Sequence, residues 1–134
     1  MAERVFVCGS KSEAQNHSAY SVINNSIIFS GKLNLTESTA LYSLCDVFIS
    51  GDSGPLHIAS ALGIKTIGLY GSTSPVSCSP YGDNGYCVEP EISCKYCGQK
   101  VCEKMEQGEK ITPCMQSISV EKVLSLVEKI IDRK

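Results

Sequence analysis

The clearest structural signal lies in residues 46–63, which read DVFISGDSGPLHIASALG. The apolar run over residues 46–50 predicts a β-strand, and the two glycines of GDSG at residues 51–54 predict a tight turn. Residues 55–62 then predict a helix that starts with a proline and stops at Gly63, as helices commonly do. A strand that leads through a short turn into a helix is the repeating unit of α/β proteins.

The same alternation continues on both sides of this stretch. Further strands are predicted at residues 4–8, 26–29 and 65–70, and a further helix at residues 37–44. A C-terminal helix at residues 119–133 carries apolar side chains at i, i+3, i+4 and i+7 spacing. The strands are short, apolar on both faces and separated by helices. The sequence therefore predicts an α/β fold with a Rossmann-like parallel sheet and flanking helices.

The composition is that of an ordinary globular chain. It has 134 residues, of which 43% are hydrophobic and 19% charged, which predicts one domain over residues 1–134 and excludes intrinsic disorder. The net charge of −2 argues against a nucleic acid or a membrane surface bound through bulk positive charge. No apolar run is long enough to span a bilayer, and residues 1–10 are not a secretory signal peptide. We therefore expect a cytoplasmic protein.

The GDSG turn is the first candidate site. The N–H groups at the start of the following helix have no partners within the helix, and the helix dipole adds positive potential there. Glycine allows a phosphate to approach the backbone closely, and ligands of open parallel sheets bind beyond the carboxyl ends of the strands. His57, in the first helical turn, can point at the same anion. A second Gly- and Ser-rich turn, residues 71–75, is expected at the same edge of the sheet.

The same residues also allow a purely structural interpretation. Asp52 or Ser53 can cap the helix, Pro55 fits its first turn, and His57 can be an ordinary half-buried surface histidine. The pattern of this turn alone leaves both interpretations open. The presence of two such turns side by side favours a ligand.

Six of the eight cysteines fall in a predicted irregular segment, the cysteine-rich loop of residues 72–118. Cys94, Cys97, Cys102 and Cys114 follow the spacing C-x2-C-x4-C-x11-C, which four thiolate ligands of a zinc ion can adopt. Without a partner histidine or a second C-x2-C, the pattern also allows packed thiols or disulfides. Zinc therefore stays open and no metal site is assigned, although a cytoplasmic location disfavours permanent disulfides.

Several motifs, in collinear order, resemble glycosyltransferase family 9, the heptosyltransferase family of lipopolysaccharide core assembly. DSGPLH at residues 52–57 is similar to the family's D-[ST]-G-x-x-H motif, and GSTSP at residues 71–75 is similar to its G-P-T-[DS]-P-like turn. CMQSI at residues 114–118 resembles the C-M-x-x-I stretch before the family's last helix. The resemblance implies the C-terminal half of a GT-B fold, the half that binds the donor nucleotide sugar.

The resemblance also implies roles for individual residues. Asp52, Ser53, Gly54 and His57 match the family's contacts to the donor sugar and its diphosphate, and Glu13 falls where the family has a glutamate near the nucleotide ribose. The implied donor is ADP-heptose or another nucleotide-diphospho-sugar, with no cofactor and no divalent metal required. The implied acceptor is a lipid-linked saccharide. A full two-domain enzyme would transfer a hexose or heptose to it at the inner face of the bacterial inner membrane.

The sequence departs from the family in ways that bear on activity. It lacks the N-terminal acceptor-binding domain, where the family keeps its catalytic base, and the first strand of the C-terminal domain with the lysine after it. Ser72 and Ser74 replace the proline and aspartate that are usual in the second turn. We therefore expect no catalytic residue in this chain, and no activity from it alone. A stand-alone nucleotide- or phosphate-binding module and a zinc-stapled interaction domain stay open as alternatives.

Overall fold

The computed structural model describes residues 4–132. Residues 1–3, 133 and 134 of the predicted domain lie outside the described residues, and residue 133 is also the last of the predicted C-terminal helix. The elements follow in the order β1 (Val5–Val7), α1 (Ala14–His17), a 3-10 helix (Ser18–Val22), β2 (Ser26–Ile28), α2 (Leu35–Tyr42), β3 (Val47–Gly51), α3 (Gly54–Ala61), β4 (Lys65–Leu69), α4 (Pro75–Cys78), β5 (Gly85–Val88), α5 (Pro113–Gln116) and α6 (Val120–Ile131). None of the helices within residues 4–132 has the length and apolarity needed to cross a bilayer.

The chain divides into two compact units, the first ending at Leu41. In the first unit β1 and β2 pair in parallel, with Val5 opposite Ser26. The rings of Phe6 and Phe29 pack edge to face with their centroids 5.8 Å apart. The connection between the strands is a four-residue α-helix followed by a 3-10 helix.

The second unit contains a three-stranded parallel sheet in the order β3-β4-β5. Side chains alternate between the two faces of β4. Ile67 joins a buried core with Val88 and Ile130 of α6. On the other face, a Cβ at Gly68 would lie 3.0 Å from Leu56 Cδ2 of α3. Helices therefore cover both faces of this sheet, and the predicted Rossmann-like α/β fold is confirmed.

The last helix, α6, is the predicted amphipathic C-terminal helix. Ser119 lies at its N-cap, where its hydroxyl accepts a 3.1 Å hydrogen bond from the Lys122 N–H. At the other end, Lys65 Nζ of β4 donates a 2.9 Å hydrogen bond to the Ile130 carbonyl. Carbonyls in the last turn of a helix lack partners within the helix, so this contact joins the end of α6 to the sheet.

Helix α2 begins two residues earlier and ends two residues earlier than predicted. The Asn34 side-chain oxygen accepts a 2.9 Å hydrogen bond from the Glu37 N–H, and the Glu37 carboxylate accepts a 2.8 Å bond from the Asn34 N–H. This reciprocal pair is a capping box with asparagine as the cap. It places the helix start at Leu35, so the predicted boundaries at residues 37 and 44 were wrong.

The cysteine-rich loop is not irregular throughout. Besides the short helices α4 and α5, it contains β5, which pairs with β4 so that Thr66 lies opposite Gly85 and Leu69 opposite Val88. The strand is only four residues long and lies close to a glycine turn on one side and Pro90 on the other. Such a run is too short to show a period, so the prediction of a wholly irregular segment was wrong here.

Candidate functional site

Four of the five predicted site residues lie in the turn between β3 and α3 or in the first turn of α3, which includes His57. Gly51 ends β3, Asp52 and Ser53 form the connection, and Gly54 begins α3. Ser53 has the extended backbone of an N-cap, with φ −157° and ψ 161°, but its side chain makes no capping hydrogen bond. Its hydroxyl instead lies 2.9 Å from the Ser50 hydroxyl. Ser53 thus lies at the N-cap and Pro55 in the first turn, as the structural interpretation allows, although the Ser53 side chain does not cap the helix.

The start of α3 offers fewer free N–H groups than the sequence suggested. The N–H groups of Leu56 and His57 donate to the Ser53 carbonyl over 3.1 and 3.4 Å, and Pro55 has no N–H. Gly54 is exposed, and a Cβ added to it would meet no atom within 4 Å. Packing within the described residues therefore does not require glycine at this position. A ligand that approaches the backbone closely would require it.

The carboxylate of Asp52 is held between two elements. Its Oδ1 lies 3.3 Å from His57 Nε2 of α3, with the Asp52 side chain 18% exposed and the His57 side chain 45% exposed. On α4, the Cys78 thiol lies close enough to Asp52 for the carboxylate to affect its pKa. Burial, followed by the charge of Asp52, raises the pKa of the Cys78 thiol. The Asp52 carboxylate thus contacts the His57 ring and lies near the Cys78 thiol.

Tyr70, directly after β4, connects α4 to the sheet. The tyrosine is fully buried, and its hydroxyl donates a 2.7 Å hydrogen bond to the Cys78 carbonyl. Burial raises the pKa of Tyr70 well above its usual range, and the neighbouring Cys87 and Asp52 raise it further. The hydroxyl is therefore a constant donor near neutral pH and holds Cys78 beside Asp52.

The backbone of the second predicted turn forms hydrogen bonds with the backbone of the cysteine-rich loop. The Gly71 carbonyl accepts a 3.0 Å hydrogen bond from the Tyr96 N–H, and the Ser72 carbonyl accepts a 2.7 Å bond from the Gly98 N–H. A Cβ at Gly71 would lie 2.9 Å from Met115 Sδ and 3.0 Å from Cys114 Sγ, so the side chains of α5 pack closely against this turn. The loop and α5 therefore pack directly on this turn.

Both turns and the cysteine-rich loop line one pocket of about 230 Å³. Its walls are formed by Gly51 and Asp52 of the first turn, Leu69, Gly71, Ser72 and Thr73 around the second turn, and Cys97, Gln99, Lys100, Cys102, Thr112, Cys114 and Met115 of the cysteine-rich loop. Among these lining residues, Lys100 is the cation and Asp52 the carboxylate. Glycine backbone, hydroxyl groups and an ammonium group are the groups that bind phosphate anions in proteins.

Glu13, the fifth predicted site residue, belongs to the first unit. Its carboxylate accepts hydrogen bonds from the Ser10 N–H at 2.8 Å and the Ser10 hydroxyl at 2.6 Å. These bonds lower the pKa of Glu13. The side chain is thus an exposed, ionised group that already closes a local turn, and its ribose contact stays a prediction.

The six cysteines of the cysteine-rich loop, all within the described residues, form no disulfide. Cys97, Cys102 and Cys114 line the pocket, and Cys114 is 7% exposed. Within residues 4–132, no three His, Cys, Asp or Glu side chains form a group that could hold a metal ion. This geometry gives the zinc-stapled alternative no support. It shows Cys114 in the role of a small packed side chain.

Comparison with known proteins identifies the family. The family model described as glycosyltransferase family 9 (heptosyltransferase) matches residues 2–107. The chain belongs to glycosyltransferase family 9. Over 104 residues, this family 9 chain is 34% identical to lipooligosaccharide heptosyltransferase 2 of Campylobacter jejuni. Over 104 residues, it is 38% identical to the lipopolysaccharide core heptosyltransferase OpsX of Haemophilus influenzae. These matches cover 72% and 75% of the chain but only 31% and 30% of the relatives.

Solved structures share the fold of this family 9 chain. The crystal structure of a family 9 glycosyltransferase from Veillonella parvula superposes with a TM-score of 0.79 at 21% identity, covering 98% of this chain and 37% of that one. The ADP-heptose lipopolysaccharide heptosyltransferase II of Escherichia coli superposes with a TM-score of 0.77 at 18% identity, covering 97% and 37%. The family and fold predicted from the motifs are thus confirmed. The chain itself spans about a third of the length of these proteins.

Sequence reasoning missed two residues of this site, Lys100 and Cys78. Lys100 reaches the pocket because backbone bonds join the cysteine-rich loop to Gly71 and Ser72. Cys78 reaches Asp52 because the buried Tyr70 hydroxyl holds its carbonyl. Both placements depend on contacts between segments distant in sequence, and no local period or motif indicates them.

Proposed function

We propose that this family 9 chain is the donor-binding half of a heptosyltransferase-like glycosyltransferase of lipopolysaccharide core synthesis. The observation that carries the proposal is the pocket in which Asp52, the second turn and Lys100 meet beside the start of α3. The names of the relatives, which are lipooligosaccharide and lipopolysaccharide heptosyltransferases, support the sugar chemistry. The proposed donor is a nucleotide-diphospho-sugar. ADP-heptose is the first candidate because the E. coli structure of this fold is named for it.

The diphosphate lies, in this proposal, between the two turns. The Gly54 N–H and the positive end of the α3 dipole attract its oxygens, and the hydroxyls of Ser72 and Thr73 donate hydrogen bonds. His57 adds a ring N–H. When the bond between the sugar and the diphosphate breaks, negative charge grows on the leaving nucleotide, and donors already in place stabilise that charge. No divalent metal is needed for this role.

Asp52 and Glu13 are proposed to accept hydrogen bonds from hydroxyl groups of the donor, Asp52 from its sugar and Glu13 from its ribose. A carboxylate accepts hydrogen bonds from sugar hydroxyls, and the Asp52 carboxylate contacts His57 beside the Cys78 thiol. Glu13 is ionised and exposed, and we assign it to the ribose. Because neither residue has a role in deprotonating an acceptor, we propose no catalytic residue in residues 1–134.

The proposed partners are a lipid-linked saccharide acceptor and the acceptor-binding half of the enzyme, which supplies the base. The chain spans about a third of its relatives, so transfer is proposed for the whole enzyme and donor binding for this chain. We propose that residues 1–134 act as one nucleotide-sugar-binding domain. We further propose that it acts in the cytoplasm, at the inner face of the bacterial inner membrane.

Thermal unfolding with and without ADP tests donor binding. A ligand that binds only the folded chain stabilises it by RT ln(1 + [L]/Kd) and so raises its Tm, with a shift that grows with the logarithm of ligand concentration. We expect millimolar ADP, in buffer with chelator, to raise the Tm of the wild type, and Asp52→Ala and His57→Ala to reduce the shift. Asp83→Ala removes an exposed carboxylate that does not line the pocket and serves as the matched control. An unmoved wild-type melting curve with ADP, GDP, UDP and CDP alike would refute donor binding by this chain.

A further inference from the structure

We propose that Lys100 of the cysteine-rich loop binds a phosphate group of the donor, so that this loop is a wall of the anion site. The proposal rests on the proposed function and adds a residue to it. The cysteine-rich loop then has a functional reason to pack on the second turn, because that packing places a cation at the pocket.

The cysteine-rich loop is held against the second turn by its backbone. Two backbone hydrogen bonds, from Tyr96 to Gly71 and from Gly98 to Ser72, join it to the second turn. Tyr96 and Gly98 both have left-handed backbone, with φ of 64° and 67°. A tyrosine in this region is uncommon and costs energy that other contacts must offset. The chain direction is thus fixed just before Gln99 and Lys100, which both line the pocket.

The pocket is lined by one positively charged and one negatively charged side chain. Among its lining residues, Lys100 carries the positive charge and Asp52 the negative charge, and Asp52 already contacts His57 and Cys78. No ion pair described within residues 4–132 involves Lys100. Lys95, by contrast, lies 3.8 Å from a Glu89 oxygen. An ammonium group without an ionic partner, beside hydroxyls and glycine backbone, fits an anion such as a diphosphate.

Two thiols at the pocket allow binding of an anion to be observed directly. Cys97 and Cys102 line the same pocket as Lys100, and Cys87 is an exposed thiol that does not line it. A bound anion that fills the pocket shields the first two thiols from an alkylating reagent and leaves Cys87 accessible. The thiols therefore report occupancy without any enzymatic assay.

The experiment uses the full 134-residue chain with inorganic pyrophosphate and, separately, ADP as probes. Alkylation by iodoacetamide is measured at each cysteine by peptide mass spectrometry, with and without probe. We expect pyrophosphate to slow alkylation of Cys97 and Cys102 but not of Cys87. Lys100→Ala should weaken the apparent affinity about tenfold, the effect of losing one charge-assisted hydrogen bond. Lys100→Arg should retain most of the protection. Lys104→Ala, which removes an exposed charge of the same loop that does not line the pocket, should retain all of it.

The outcomes separate this inference from the proposed function. If ADP binds, and Asp52→Ala weakens it while Lys100→Ala does not, the role of Lys100 is wrong and donor binding stands. If pyrophosphate protects Cys97 and Cys102 in a Lys100-dependent way while no nucleotide binds, the anion site stands and the nucleotide-sugar function is wrong. If neither probe protects the thiols or shifts the Tm, both are wrong.

Discussion

The hydroxyl of Tyr70 donates a 2.7 Å hydrogen bond to the main-chain carbonyl of Cys78. Tyr70 is fully buried beside Gly68, where a Cβ would lie 2.7 Å from its ring. The thiol of Cys78 in turn lies close enough to Asp52 for the carboxylate to raise its pKa. A buried side chain at the end of β4 thus determines the surroundings of the candidate donor-binding carboxylate, and this chain of contacts can be tested.

Tyr70→Phe should destabilise the chain and weaken donor binding together. The ring remains and the hydroxyl is lost, which leaves a carbonyl without its partner at a cost of about 1 kcal/mol. Urea unfolding and the ADP-induced Tm shift measure the two effects. Tyr81→Phe, at a tyrosine that is 85% exposed, is the control and should change neither. Unchanged ADP binding in Tyr70→Phe would show that the Cys78 contact does not support Asp52.

Asp52→Asn should make the Cys78 thiol more reactive at a given pH. The negative charge of Asp52 raises the pKa of this thiol, in addition to burial, so removing the charge lowers the pKa and increases the thiolate fraction. The pH profile of Cys78 alkylation, followed by peptide mass spectrometry, should move to lower pH in the variant. Asp83→Asn should leave the profile in place. An unchanged pH profile of Cys78 alkylation in Asp52→Asn would show that the Asp52 charge does not affect the pKa of the Cys78 thiol.

The parts of this molecule that follow from local pattern were predictable, and the parts that depend on distant contacts were not. The strand and turn around Asp52 differ from their predicted bounds by only one residue, because an apolar run and paired glycines are local signals. The pairing of His57 with Asp52 was not predicted, since both were assigned to the ligand. β5 and Lys100 were missed because a four-residue strand and a loop lysine acquire their places from β4 and Gly71.

Thr66→Val should stabilise the chain. Thr66 is fully buried in β4, and its hydroxyl finds no hydrogen-bond partner among the described residues. Replacing this hydroxyl by a methyl group removes a desolvated polar group, and we expect a gain of about 1 kcal/mol in urea unfolding. Ser60→Ala is the matched contrast, because the buried Ser60 hydroxyl donates to the Tyr81 carbonyl and its loss should destabilise. Destabilisation by Thr66→Val would indicate that a water molecule satisfies the hydroxyl.

The isolated chain should not transfer sugar. Transfer needs a group that removes the proton from the acceptor hydroxyl while the bond between the sugar and the diphosphate breaks. Asp52 contacts His57, and Glu13 accepts a hydrogen bond from Ser10, and we assign both to the donor. Incubation of the chain with ADP-heptose and a lipid-linked core saccharide should give no product above background. Addition of a family 9 acceptor-binding half should restore transfer, and Asp52→Ala in the chain should abolish the restored activity. Sustained turnover by the 134 residues alone would contradict the assignment of this chain to the donor half.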